Sequence, residues 1–194
     1  MNYVIKTPGR TGSHRILDYL VKNQNCRPVW NLQDGLTEHI DFSVHDQFAV
    51  HDRQNNFIPK HEDRWVCVIS LRKNKFEQIL SYLTAKNTDE FAFYTDKSIK
   101  LEISLEEFES VYDRILREEQ QIFDSIYGIE WHQIETIFFE DISPETLNKL
   151  DYNTNKAYDL WGTAISEKSP RSKTDVFINY QQLKSHYDQM IKNK

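Results

Sequence analysis

The chain has 194 residues, of which 39% are hydrophobic and 13% aromatic, enough to fill one core and too few for two ordinary domains. A formal net charge of −6, with seven histidines counted neutral, argues against a surface built for nucleic acid or anionic lipid. No apolar run approaches the roughly 20 residues that span a bilayer, so no membrane partner is expected.

The opening MNYVIKTPGR lacks the apolar stretch of a secretory signal, so the mature chain is expected to begin here and to stay in the cytosol. Cys26 and Cys67 could form one disulfide; two buried free thiols in a reducing compartment are the expectation. Tyr3-Val4-Ile5-Lys6 predicts a short strand, and Thr7 to Gly12 a turn. Ser13 to about Asn23 follows as a helix, with Ile16, Leu17, Leu20 and Val21 on one apolar face. Asn31 to Asp46 has no clear period, and Phe48-Ala49-Val50-His51 predicts a brief strand.

Trp65 to Leu71 is nearly continuous apolar sequence with β-branched residues, the pattern of a strand buried in the centre of a parallel sheet. Asn74 suits the cap of the next helix, where Phe76, Ile79, Leu80 and Leu83 keep helical spacing. A long acidic helix is predicted from about Ser104 to Tyr127, with capping-box spacing between Ser104 and Glu107. Ile134 to Phe139 reads as another strand, Ser143-Pro144-Glu145 as a helix start, and Tyr180 to Ile191 as a closing helix. The alternation predicts a single α/β domain, residues 1–194, with a mainly parallel central sheet flanked by helices.

Two stretches carry chemistry. Thr7-Pro8-Gly9-Arg10-Thr11-Gly12-Ser13-His14 joins a strand to a helix, where a parallel sheet offers backbone N–H groups to an anion. Gly9 and Gly12 permit a tight turn, Arg10 adds a cation, and Thr11, Ser13 and His14 add side-chain donors. It is no Walker A loop, because the lysine that grips the β- and γ-phosphates is missing. Arg72 then leaves the central strand at its carboxyl end, the edge where α/β sheets bind ligands, and Ser81 lies on the helix that follows.

The first loop resembles the 5′-phosphosulfate loop of the sulfotransferase family, commonly Pro-Arg/Lys-Ser/Thr-Gly-Ser/Thr-Thr. Here Gly9 offsets the proline, and His14 stands where threonine is usual. Arg72, Gln78 and Ser81 resemble that family's 3′-phosphate arrangement, with a spacing like that of bacterial carbohydrate sulfotransferases. Phe138-Phe139-Glu140-Asp141-Ile142 is similar to its Tyr-Glu-Asp-Leu segment and reads as structural. Lys168-Ser169-Pro170-Arg171-Ser172-Lys173 falls where the family often has a basic loop over the 3′-phosphate; a solvated charge run is the plain alternative.

The resemblance implies a fold like that of the P-loop nucleoside triphosphate hydrolases and 3′-phosphoadenosine 5′-phosphosulfate as cofactor. It implies a sulfuryl group passing to a hydroxyl or amine of a small-molecule or carbohydrate acceptor, without a metal. Cofactor contacts would come from Gly9, Arg10, Thr11, Gly12, Ser13, His14, Arg72, Ser81, Lys168, Arg171 and Lys173. Such transfer depends on positioning, charge stabilisation and a base for the acceptor's proton. The family often places a catalytic histidine after the strand preceding the 3′-phosphate strand. His51 is the first candidate, His45 the second, and a carboxylate stays open; an ordinary imidazole near 6.5 suits the task. Lys6, ending the first strand, could steady the leaving phosphate or simply face solvent. A small-molecule P-loop kinase and a catalytically inactive adenosine-phosphate-binding module remain alternatives.

Overall fold

Apolar residues at both parities of the central strands dictate a sheet covered on two faces. The computed structural model of the protein describes residues 1–30, 47–53, 55–59, 64–88, 99–150 and 172–193. Its strands are β1 (Asn2–Lys6), β2 (Arg27–Trp30), β3 (Phe48–Asp52), β4 (Trp65–Leu71) and β5 (Gln133–Phe138). They form one sheet in the order β2-β3-β1-β4-β5, with every neighbouring pair parallel. The helices are α1 (Ser13–Asn23), α2 (Lys75–Thr88), α3 (Leu105–Ile126), α4 (Pro144–Leu147), α5 (Lys173–Val176) and α6 (Tyr180–Lys192).

The described chain falls into two compact units, one of Met1–Lys73 and Glu118–Ile165 and the other of Asn74–Arg117 and Ser166–Lys194. In the first, Tyr3, Ile5, Ala49, Val66 and Val68 pack with Ile16, Leu17 and Leu20 of α1 on one face of the sheet. Val4, Val50, Cys67 and Ile69 point the other way, toward Ile122 of α3. Complete burial of one such aliphatic side chain contributes about 1.5–3 kcal/mol. Strand β2 is the element that sequence periodicity does not announce. Among the described residues it pairs with β3 alone, and an edge position tolerates Pro28, whose missing N–H would break a central ladder.

In the second unit, α2 begins where Asn74 Oδ1 accepts the Glu77 N–H at 3.1 Å, and α3 begins where Ser104 Oγ accepts the Glu107 N–H at 3.1 Å. Phe76, Leu80, Phe108, Tyr112, Phe177 and Leu183 fill its core. Cys26 and Cys67 are buried free thiols, each pushed up to about 12 by burial. Among the described residues, no helix is long and apolar enough to cross a membrane.

Candidate functional site at the carboxyl edge of the sheet

Chain order within the sheet fixes where a ligand can enter. From β1 the chain crosses to β2 on one side, and β4 leads to β5 on the other. Loops leaving adjacent strands in opposite directions open a crevice between them, so the carboxyl ends of β1 and β4 form the switch point. The loop Thr7–Gly12 leaves β1, and Arg72 leaves β4.

Strand alternation then sorts the side chains. His51 and Ser70 share parity with Ala49 and Val68, on the α1 face, and both reach the loop and helix start. His51 Nε2 lies 2.8 Å from Ser13 Oγ, and the Ser70 hydroxyl donates to Thr11 O at 3.0 Å. Ser70 Oγ also lies 2.9 Å from Thr11 Oγ1, which is in turn 2.5 Å from Thr7 Oγ1. Thr7 Oγ1 accepts the Gly9 N–H at 3.2 Å, closing the turn on itself.

The loop has left-handed backbone at three positions, with φ of 79° at Gly9, 56° at Arg10 and 77° at Gly12. At Gly9 the dihedral alone demands glycine, since an added β-carbon would meet only Arg53 Nη2 at 3.7 Å. Gly12 is constrained twice: a β-carbon there would sit 2.7 Å from Phe139 Cδ2 and 2.8 Å from Ile142 Cδ1. Gly12 is also the N-cap of α1, and no side chain caps that helix. The first amides of a helix have no intrahelical acceptor, so this end offers donors and a positive dipole to an anion.

Arg72 is held from two directions. Its Nε lies 3.5 Å from Glu140 Oε1, and its guanidinium carbon sits 4.5 Å from the centroid of the Phe139 ring. The same ring carries Arg15 at 5.6 Å. The Phe138–Ile142 segment, read from sequence as structural, is therefore what touches both Gly12 and Arg72.

The opposite parity takes Lys6 elsewhere. It lies beside Asp52 in the β1–β3 register, and its ammonium donates to Asp52 Oδ2 at 2.7 Å with both side chains fully buried. Phe57 contributes its carbonyl to Lys6 at 3.4 Å and its N–H to Asp52 at 3.1 Å. A solvent-facing lysine is thus corrected to one that shares parity with Val4 and points away from α1. The expected imidazole value near 6.5 is corrected as well. Burial, then the charges of His14 and Arg53, push His51 down to about 3. Its ring meets His14 edge-on at 5.2 Å.

The second unit holds Ser81, buried on α2, and Lys173, which donates to Thr84 Oγ1 at 3.2 Å, one turn beyond Ser81. His45, Lys168 and Arg171 lie outside the described residues. Sequence reasoning missed Arg15, in the first turn of the predicted helix, and Arg53, two residues beyond the strand predicted to end at His51; those positions were the available signal. Among the described residues, no group of three or more histidine, cysteine, aspartate or glutamate side chains is placed to hold a metal ion. Comparison with family models, curated proteins and solved structures finds no match.

Proposed function

We propose that this chain transfers a sulfuryl group from 3′-phosphoadenosine 5′-phosphosulfate to a hydroxyl or amine of a small-molecule or carbohydrate acceptor, on a P-loop-like fold. One observation carries the reading: the uncapped start of α1, reached through a left-handed loop, and Arg72 share one switch point. The donor set suits a ligand with separated anionic groups. Helix-end amides and Arg10 would hold the 5′ end, and Arg72 would hold the 3′-phosphate. The absence of a lysine from the loop argues against a nucleoside triphosphate.

The bound cofactor supplies an activated sulfuryl group with a bisphosphate leaving group. The chain's own work is to hold those anions and to accept the proton as the acceptor oxygen or nitrogen bonds to sulfur. His51, neutral at any pH above about 3, is in the proton-accepting form near neutrality, but its low value makes it a weak base. Ser81 and Lys173 add to the proposal through the family resemblance alone. A second reading, a binding module without turnover, is favoured by the burial of both His51 and Lys6.

Titration with 3′-phosphoadenosine 5′-phosphate and with ATP tests the reading, and tighter binding of the former is expected. Equal or tighter Mg²⁺-dependent ATP binding overturns it in favour of a small-molecule kinase. Tight binding of the bisphosphate with no sulfuryl transfer across a broad acceptor panel selects the binding module.

A further inference from the structure

An arginine at a strand end has four rotatable bonds to restrain before it can recognise an anion with fixed geometry. The contacts around Arg72 supply that restraint from one short segment. Glu140 is itself anchored, because its Oε2 accepts the Lys73 backbone N–H at 2.9 Å while its Oε1 faces Arg72 Nε at 3.5 Å. The Phe139 ring stands 4.5 Å from the guanidinium carbon and is fixed in turn against the backbone of Gly12, where no β-carbon would fit. Carboxylate and ring thus constrain the guanidinium from its edge and its face, and the ring also registers it against the start of α1.

We infer that Phe139 and Glu140 are positioning residues, which hold the Arg72 plane in one orientation relative to the loop of β1 and so set the preference for a ligand bearing a 3′-phosphate. The inference rests on the reading of Arg72 as the 3′-phosphate ligand. A side chain that merely filled the core would affect stability and all ligands alike. A positioning residue acts through Arg72, and its effect disappears when Arg72 is gone.

The experiment is a double-mutant cycle read by calorimetric titration of the full chain with adenosine 3′,5′-bisphosphate and with adenosine 5′-phosphate. Phe139→Leu is expected to cut the preference for the bisphosphate about five- to tenfold, as loss of a partly desolvated cation–π contact would. Phe139→Tyr should retain it, and Glu140→Gln, at an exposed position, should cut it about threefold. On an Arg72→Ala background both losses should vanish. Unfolding midpoints are measured alongside; if Phe139→Leu does not fold, Glu140→Gln carries the test. Preference unchanged by Phe139→Leu and Glu140→Gln, yet removed by Arg72→Ala, overturns this inference and leaves the functional reading standing. Absence of any preference in the unmutated protein, with Arg72→Ala changing nothing, overturns both.

Discussion

Two corners of the same sheet edge treat positive charge in opposite ways. At the β1–β3 corner, Lys6 is fully buried, its ammonium neutralised by Asp52 and the pair tied to the Phe57 backbone. At the β1–β4 corner, the Arg72 side chain is 14% exposed and rests on soft contacts, an aromatic face and a carboxylate at 3.5 Å. The first charge is satisfied internally. The second is held in place without being sealed away. An external anion would have to break a dry ion pair to reach Lys6, whereas the Arg72 side chain and the Glu140 carboxylate beside it are both partly solvated. Among the described residues of this edge, the more buried cation is paired internally, and the more accessible one is the group to which the proposed function assigns recognition.

The largest effect should come from breaking the buried pair. Asp52→Ala leaves the Lys6 ammonium uncompensated in the core and should cost about 3–5 kcal/mol in urea unfolding. Arg72→Ala should cost about 1 kcal/mol or less by the same measurement. Equal losses would erase the distinction between the two corners.

Next in size is the crossing of loop and turn. Gly12→Ala combines an unfavourable left-handed φ with overlap against Phe139 and Ile142, and should destabilise by about 2–4 kcal/mol. Gly9→Ala shares the left-handed φ but has room for its methyl group, so about 1–2 kcal/mol is expected. If the two variants unfold at the same denaturant concentration, the close approach of Phe139 is not a real constraint.

A last test concerns acid. His51 has a folded value near 3 against an ordinary value of 6.5, so between those pH values the unfolded chain binds a proton that the folded chain refuses. Stability therefore falls as pH falls through that window, at up to about 1.4 kcal/mol per pH unit, and is unaffected by this group above it. Thermal unfolding from pH 7 to 4.5 should show a shallower acid slope for His51→Gln than for the unmutated chain. Superimposable profiles would mean that His51 is not held neutral by burial.

The comparison also marks what could be read from the sequence. The strand Tyr3 to Lys6, the turn, and the helix from Ser13 were legible because each rests on local rules: adjacent β-branched residues, paired glycines and helical spacing. The strand Trp65 to Leu71 was legible because a central parallel strand needs apolar residues at both parities. Strand β2 was not, since Arg-Pro-Val-Trp is short, aperiodic and contains a proline that only an edge tolerates. The fate of Lys6 was hidden for a different reason. Its position ended a predicted strand, but the partner depends on the β1–β3 register that sets Lys6 beside Asp52. Phe139 was hidden likewise, because its contacts with Gly12 and Arg72 join segments far apart in the chain. Local chemistry announced the loop; register and parity decided which side chains face it.

The two buried thiols give this fold a clock. A thiolate is the reactive form, and with Cys26 and Cys67 both pushed up to about 12 almost none is present near neutrality in the closed protein. Each sulfur therefore becomes reactive only when its surroundings open. Cys67 lies in β4, flanked by β1 and β5, so its reactivity follows disruption of the sheet's middle. Cys26 lies just beyond α1, beside the edge strand β2, where fraying of a helix end suffices. The ratio of the two reaction rates thus separates local breathing from global unfolding, a kinetic reading of the sheet written in sulfur.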